Sequence, residues 1–195
     1  MKVNKKSILR VLYKSLTILL SVYWIIFGFG FACNCVSRVY LYPIKYKEQV
    51  LENAKQYGLD ALLIFSIIKV ESSFNPDAVS SAGAVGLMQI TLDTGEYIAK
   101  MHGIESYDLL DVDTNIAFGC FYLKYLMLKF ENLDVSICAY NAGEGNVNAW
   151  LNNDKYSSDK KTLKDVPFPE TRSYLKKINQ TFTKYKKLYE NILDK

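Results

Sequence analysis

Histidine is nearly absent from this sequence, which contains only His102. Histidine is the usual proton acceptor of serine and cysteine hydrolases and a common ligand of catalytic zinc. A single histidine that matches no such pattern argues against both hydrolase classes and against a histidine metal site. We therefore expect no histidine-bound metal, and no cofactor is expected for this chain.

Cysteine is also scarce. The spacings of the four cysteines match no zinc-binding pattern: they are Cys33, Cys35, Cys120 and Cys138. Cys120 and Cys138 lie in apolar helical surroundings, where cysteine behaves as an ordinary core residue. An exported location permits a disulfide between them, but we expect two free thiols.

Acidic residues are missing from residues 1–47, which hold eight Lys or Arg, whereas residues 48–195 hold 16 basic and 20 acidic residues. The basic character of the chain therefore belongs to its N-terminal segment. A nucleic-acid-binding domain needs a basic face, so we predict no nucleic-acid partner. The net negative charge after residue 47 also disfavours a basic protein that binds the membrane surface.

Charge of either sign is absent between Lys14 and Arg38. This run is long enough to cross a bilayer, which needs ~20 apolar residues. We predict a cytoplasmic basic tail over residues 1–14, a transmembrane anchor over residues 15–37 and a short stem over residues 38–47. Five basic residues precede the anchor, so the positive-inside rule predicts a single-pass protein of the cell membrane with a cytoplasmic N-terminus.

A cleaved signal peptide is the alternative interpretation of this apolar run. Signal peptides end in a small-x-small site, and Gly30-Phe31-Ala32 is a poor version of one. Both interpretations place residues 48–195 outside the cytoplasm.

Strand patterns are almost absent from residues 48–195, where apolar residues recur at helical spacing. This region has the usual size of one domain, and we predict a mainly α fold for it. The predicted helices cover residues 48–57, 61–71, 91–101, 113–130, 133–140 and 170–193. The predicted connections are a loop over residues 72–86, a turn over residues 141–145 and a polar, mobile loop over residues 152–164.

Glu71 is the acidic residue of most chemical interest. It follows Ile64, Ile67 and Ile68 at helical spacing, so its side chain shares their apolar face. A desolvated carboxyl group has a raised pKa and stays protonated near neutral pH, as a general acid must. The alternative is a glutamate at a helix end that turns to solvent, and periodicity alone does not decide between the two.

Three segments, in order along the chain, resemble the soluble lytic transglycosylase family, relatives of goose-type lysozyme. The first is Glu71-Ser-Ser-Phe-Asn-Pro-Asp-Ala-Val-Ser-Ser-Ala-Gly-Ala-Val-Gly-Leu-Met-Gln-Ile90. The second is Ala139-Tyr-Asn-Ala-Gly143, and the third is Val166-Pro-Phe-Pro-Glu-Thr-Arg-Ser-Tyr174. The resemblance covers about residues 48–178 and does not include the apolar N-terminal run.

The resemblance implies a lysozyme-like catalytic domain over residues 48–195 that acts on the glycan strands of peptidoglycan. It implies that Glu71 protonates the oxygen between N-acetylmuramic acid and N-acetylglucosamine and then accepts a proton from the C6 hydroxyl group. That hydroxyl attacks its own anomeric carbon and gives a 1,6-anhydro sugar. The alternatives are a muramidase of the same fold, which uses water, and a non-catalytic wall-binding module.

The resemblance also implies substrate contacts in the loop that follows Glu71. Ser80 is expected to hydrogen-bond the acetamido or neighbouring sugar groups, or else to cap the loop. Met88 and Gln89 are expected to line the cleft, the thioether as an apolar floor and the amide as a hydrogen-bonding group.

The remaining contacts implied by the resemblance lie after residue 139. Tyr140 is expected beside the catalytic carboxyl group, and Asn141 in the turn that follows it. Glu170 is expected at the far wall of the cleft, where it balances positive charge on the sugar, or else serves only as a charge at a helix N-terminus.

Overall fold

The computed structural model describes residues 5–36 and 40–193, and side chains over residues 13–30, 36 and 40–190. Backbone contacts divide the chain into two compact units, Met1–Pro43 and Ile44–Lys195. Parts of the predicted tail, anchor and stem, namely residues 1–4 and 37–39, lie outside the described residues.

The first unit contains one long helix, α1, over Lys5–Val36. Its segment Tyr13–Gly30 is long and apolar enough to cross a membrane, and no part of that segment is buried in the protein. Large apolar side chains on it are exposed, and neighbouring rings such as Tyr23 and Phe27 stack on one another. By length and composition, α1 is the one described helix with these properties.

The second unit, called here the helical unit, confirms the predicted mainly α fold. Its helices are α2 (Lys47–Tyr57), α3 (Ala61–Ser72), α4 (Leu92–His102), α5 (Val112–Phe130), α6 (Leu133–Ala142), α7 (Glu144–Leu151) and α8 (Pro169–Leu193). The only β pairing among the described residues consists of isolated bridges within the loop between α3 and α4. Cys120 and Cys138 are buried free thiols, as predicted.

Short polar residues begin the helices and glycines end several of them. The side chains of Asp60, Asp111 and Asn132 accept hydrogen bonds from backbone N–H groups in the first turns of α3, α5 and α6. These N–H groups have no partner inside a helix, so such caps fix where each helix begins. Gly58 and Gly103 follow α2 and α4 with positive φ, a conformation that glycine adopts without strain.

The core of the helical unit forms where α3 packs against α8. Every residue of α3 from Leu62 to Ile68 is buried. The ring of Phe65 lies 6.0 Å from that of Tyr185 on α8, and the two planes are nearly parallel. This packing brings the C-terminal end of α3 close to the N-terminal part of α8.

Helix α7 is absent from the sequence-based prediction, which has a turn over residues 141–145 instead. In the structure α6 continues through Ala142, and Gly143, with φ of 83°, separates it from α7. Gly145 and the asparagines of α7 disfavour a helix locally. Burial of Val147, Trp150 and Leu151 on one face stabilises it through tertiary packing instead.

Candidate active site

The loop between α3 and α4 is anchored by Asn115 of α5. The buried Asn115 side-chain amide donates to the carbonyl oxygens of Leu109, at 2.7 Å, and Val85, at 3.0 Å. Its oxygen accepts the backbone N–H of Met88 at 2.7 Å. A buried amide with all these partners fixes the loop in one position relative to α5.

Two glycines allow this loop to approach α5 closely. Gly86 has a φ of 79°, and a Cβ placed there would lie 2.1 Å from the Asn115 amide nitrogen. A Cβ at Gly119, on α5, would lie 2.4 Å from the sulfur atom of Met88. Both positions therefore have room for hydrogen only, and the loop sits directly on the helix.

Glu71 lies in the last turn of α3 with its side chain partly exposed. The hydroxyl group of Tyr174 donates a hydrogen bond to its Oε1 at 2.5 Å. Burial raises the pKa of Glu71 to about 7, while the hydrogen bond from Tyr174 acts to lower it. A carboxyl group with this pKa exists in both protonation states near neutral pH and can donate or accept a proton.

Two tyrosine hydroxyl groups share the surroundings of Glu71. Burial, followed by the charge of Glu71, raises the pKa values of Tyr140 and Tyr174 well above that of an ordinary tyrosine. Both remain protonated and act as hydrogen-bond donors. Tyr140 donates to the backbone carbonyl of Met88 at 2.9 Å, so it joins α6 to the loop that Asn115 anchors.

Tyr174 is the residue that the sequence-based site lacks. It ends the third of the segments that resemble the family, but only the structure shows its contact with Glu71. A sequence signal exists: Thr171, Tyr174, Ile178 and Tyr185 recur at helical spacing and are all buried. They form the inner face of α8, which predicts that Tyr174 points toward the core.

The three predicted site residues in the loop between α3 and α4 differ in burial and in hydrogen bonding. Ser80 accepts the backbone N–H of Ala84 at 3.0 Å, so its oxygen caps the loop. Met88 was expected to line the cleft, but its side chain has no exposed surface and instead fills the space above Gly119. Gln89 is partly exposed, and its amide nitrogen donates within the loop, to Gly86 at 2.9 Å and Ala78 at 3.1 Å.

The two remaining predicted residues flank the N-terminal end of α8. The side-chain oxygen of Asn141 accepts a hydrogen bond from the buried Thr171 hydroxyl at 2.8 Å and thereby joins α6 to α8. Glu170 is exposed in the first turn of α8. The structure thus brings Glu71, Tyr140 and Tyr174 together, with Met88 and Gln89 in the loop beside them.

Ligands for a metal ion are not grouped at this site. Among the side chains that the structure describes, no three His, Cys, Asp or Glu residues are close enough together to hold a metal ion. Glu71 has hydrogen-bonding tyrosines as neighbours instead, an arrangement suited to proton transfer.

Comparison with known proteins relates this arrangement to one family. Residues 48–163, more than half of the chain, match the transglycosylase SLT domain. The soluble lytic murein transglycosylase of Escherichia coli (strain K12) is 36% identical over 143 residues, which cover 70% of this chain and 22% of that protein. The membrane-bound lytic murein transglycosylase C of Photorhabdus laumondii is 35% identical over 162 residues, covering 69% of this chain and 45% of that protein.

A solved structure gives the same result. The 70 kDa soluble lytic transglycosylase from Escherichia coli superimposes with a TM-score of 0.65 and 32% identity over 75% of this chain and 25% of that one. This similarity confirms the predicted lysozyme-like fold class. The chain spans between about a fifth and a half of the length of these relatives. On the domain match, the sequence identity and the shared fold, the chain belongs to the transglycosylase SLT domain family.

Proposed function

We propose that this protein is a peptidoglycan lytic transglycosylase that cleaves the β-1,4 bond between N-acetylmuramic acid and N-acetylglucosamine. The single observation that carries this proposal is the Glu71 carboxyl group, partly exposed, hydrogen-bonded by Tyr174 and with its pKa raised by burial to about 7. The relatives named as lytic murein transglycosylases support the same activity.

In the proposed reaction Glu71 acts first as an acid and then as a base. Its Oε1 is occupied by Tyr174, which leaves Oε2 to protonate the glycosidic oxygen. The carboxylate then accepts the proton of the C6 hydroxyl group as that oxygen bonds to the anomeric carbon. The proton gained by the leaving sugar is thus balanced by the proton lost from C6, and the product is a 1,6-anhydromuramoyl end.

The proposed route needs one carboxyl group, unlike a mechanism with two carboxylates. Ordinary glycosidases place a second carboxylate about 5–10 Å from the acid, as nucleophile or base. In the described part of the chain, the pKa of Glu71 is shifted by burial and by Tyr174, and neither cause is a second acid. A nucleophile supplied by the substrate removes the need for one.

The proposed roles of the other residues follow from their positions. Tyr140 and Tyr174 hold hydroxyl groups near the developing charge. Gln89 uses its amide nitrogen inside the loop, so its carbonyl oxygen is the atom we assign to a sugar hydroxyl. Ser80 and the exposed Glu170 are proposed as outer substrate contacts, with Asn141 supporting the wall between α6 and α8.

Digestion of purified peptidoglycan, with mass spectrometry of the products, tests this function. We expect anhydro ends, lighter by one water than reducing ends, and their loss in a Glu71→Gln variant. Reducing ends instead would identify a muramidase, and unchanged lysis by Glu71→Gln would remove Glu71 from the mechanism. Binding to peptidoglycan without any cleavage would identify a wall-binding module.

We further propose that α1 anchors the protein in the cell membrane, with the basic tail in the cytoplasm and the helical unit outside. The apolar segment Tyr13–Gly30 supports the anchor, and the basic residues before it support this orientation. Protease treatment of intact cells stripped of their wall is expected to degrade the helical unit and to spare the tail. A mature protein that starts after residue 32 would instead indicate a cleaved signal peptide.

A further inference from the structure

Two hydroxyl groups on the buried face of α8 each hold one residue of the candidate active site. Tyr174 donates its hydroxyl hydrogen to Glu71, and Thr171 donates its own to the side-chain oxygen of Asn141 at 2.8 Å. Thr171 and Tyr174 are three residues apart, so their Cβ atoms are neighbours on the helix, about 5–6 Å apart. One turn of α8 therefore holds two partly exposed residues, Glu71 and Asn141, from the inside.

Asn141 is joined to the surroundings of Glu71 by two short routes. In α6 it directly follows Tyr140, whose hydroxyl group is influenced by the charge of Glu71. In α8 the route runs from Thr171 to Tyr174, one turn further along the same face. The Asn141 amide is thus part of the same site as the carboxyl group.

The Asn141 amide has one end occupied and one end open. Its oxygen accepts the hydrogen bond from Thr171, which is only 2% exposed. Within residues 40–190, no other hydrogen bond is made by the Asn141 side chain. Asn141 is partly exposed, so its nitrogen, with two N–H donors, is the end that lies toward the surface.

Gln89 is held in the opposite sense. Its amide nitrogen donates to the carbonyl oxygens of Ala78 and Gly86, which leaves its own carbonyl oxygen as the open end. The site therefore contains one amide that offers an acceptor and one, Asn141, that offers donors only. A sugar hydroxyl group can satisfy either amide, whereas a carbonyl oxygen can satisfy only the donors of Asn141.

We propose that Thr171 is a positioning residue, which holds the Asn141 amide with its nitrogen toward the substrate. In this orientation Asn141 donates a hydrogen bond to the acetamido carbonyl oxygen of a sugar beside Glu71. Thr171 is buried and acts only through Asn141. The inference rests on the proposed function, because it names a group of the same substrate.

Calorimetric binding to the full chain carrying Glu71→Gln, which prevents cleavage, tests this role. The probe is a soluble, peptide-free tetrasaccharide of alternating N-acetylglucosamine and N-acetylmuramic acid. Thr171→Val keeps the shape of the side chain and removes the hydroxyl group, so it should weaken binding about 5- to 10-fold, the effect of one hydrogen bond. Asn141→Ala should weaken binding by a similar factor, and Thr171→Ser, which keeps the hydroxyl group, should restore most of the affinity.

A double substitution separates positioning from a general structural role. Added to Asn141→Ala, Thr171→Val should cause no further loss of affinity, because its effect passes through the amide that is already missing. A structural role would weaken binding in both backgrounds. Thr183→Val is the matched control, since the exposed Thr183 hydroxyl bonds only a carbonyl of its own helix, and its affinity should equal that of the Glu71→Gln chain.

A second sugar tests the acetamido contact. The same tetrasaccharide with trifluoroacetamido groups has carbonyl oxygens that are weaker hydrogen-bond acceptors. The Glu71→Gln chain should bind it about 3-fold more weakly than the natural sugar, and Thr171→Val should remove this preference. If Thr171→Val does not fold, Asn141→Ala with the two sugars tests the same contact.

Several results would overturn the inference. They are an unchanged affinity in Thr171→Val or Asn141→Ala, equal losses from Thr171→Val in both backgrounds, and no rescue by Thr171→Ser. Equal binding of the two sugars by the Glu71→Gln chain, or binding of neither, would overturn it as well. The digestion assay judges the proposed function separately, because reducing ends there would exclude the transglycosylase reaction without changing any binding result.

Discussion

The hydroxyl group of Tyr174 lies 2.5 Å from Oε1 of Glu71, across 103 residues of sequence. The contact ties the N-terminal part of α8 to the last turn of α3. It orients one carboxyl oxygen and leaves the other without this partner. The acid–base chemistry that we propose for Glu71 therefore depends on two helices that meet only in the folded protein.

Replacing Tyr174 with Phe should shift the pH dependence of activity. The proposed acid step needs protonated Glu71, so we expect kcat/KM to fall as the pH rises through the pKa of this group. Because the hydrogen bond from Tyr174 lowers that pKa, its loss should move the falling limb upward by about one pH unit. The measurement is kcat/KM for peptidoglycan fragments between pH 5 and pH 9, where we also expect about 10-fold lower activity from the misoriented acid.

Tyr107→Phe is the matched control, since Tyr107 is a partly exposed tyrosine whose ring packs against Phe118. Its pH profile should coincide with that of the parent. An unshifted profile for Tyr174→Phe would show that this hydroxyl does not tune Glu71.

Glu71 should destabilise the fold as the pH rises. Its pKa is 4.5 in an unfolded chain and about 7 in the folded protein, so the folded state binds more protons between these values. The contribution of Glu71 to the free energy of unfolding is therefore complete below about pH 4.5. It decreases as the pH rises to about 7, by about 3 kcal/mol at most. Urea unfolding of the parent and Glu71→Gln at several pH values should show the two curves diverging across this window, with the variant more stable at pH 8. A constant difference would mean that the carboxyl group is not desolvated.

The contact between Gly119 and Met88 can be tested by adding one methyl group. Gly119→Ala places a Cβ 2.4 Å from the Met88 sulfur, and overpacking of this kind costs about 1–3 kcal/mol. We expect a lower urea midpoint and lower activity, because the loop must move away from α5. An unchanged urea midpoint would show that the loop does not lie directly on α5.

Gly145→Ala serves as the opposite case. It lies in α7 with open space around it, so alanine should stabilise the protein by about 0.5–1 kcal/mol. Equal effects at positions 119 and 145 would contradict the close packing of the loop.

Removal of the Asn115 amide should be among the most damaging single substitutions. Asn115→Ala leaves the buried N–H of Met88 and the carbonyls of Val85 and Leu109 without their partner. We expect a loss of about 3 kcal/mol or more in unfolding free energy. Asn152→Ala, which breaks an exposed bond within its own helix end, should stay within about 0.5 kcal/mol. Similar losses for both would argue that the loop is not held by Asn115.

Local patterns were sufficient to predict most of the helices. The N-cap at Asp60 and the apolar run of α3 sufficed to place Glu71 at a helix end on an apolar face. Periodicity failed for α7, because its polar residues conceal the inward positions Val147, Trp150 and Leu151. That helix is stabilised by the packing of its buried face, which the local helix preferences of its residues do not predict.

The part of the site that depends on distant partners could not be predicted. The backbone of Met88 is fixed by Asn115, 27 residues away, and by Tyr140, 52 residues away. The resemblance to the family implies that the Met88 side chain lines the cleft, and nothing near Met88 in the sequence indicates that its backbone is the part held in place. The structure shows this side chain buried against Gly119, a contact that is visible only in three dimensions.

The wide separation of Glu71 and Tyr174 along the chain has a consequence for biogenesis. During synthesis α3 emerges long before α8, and until α8 docks we expect Glu71 to be a solvated carboxylate, because its partner Tyr174 is not yet in place. The surroundings that bury Glu71 are therefore completed late, after the chain has grown beyond α3 by more than a hundred residues.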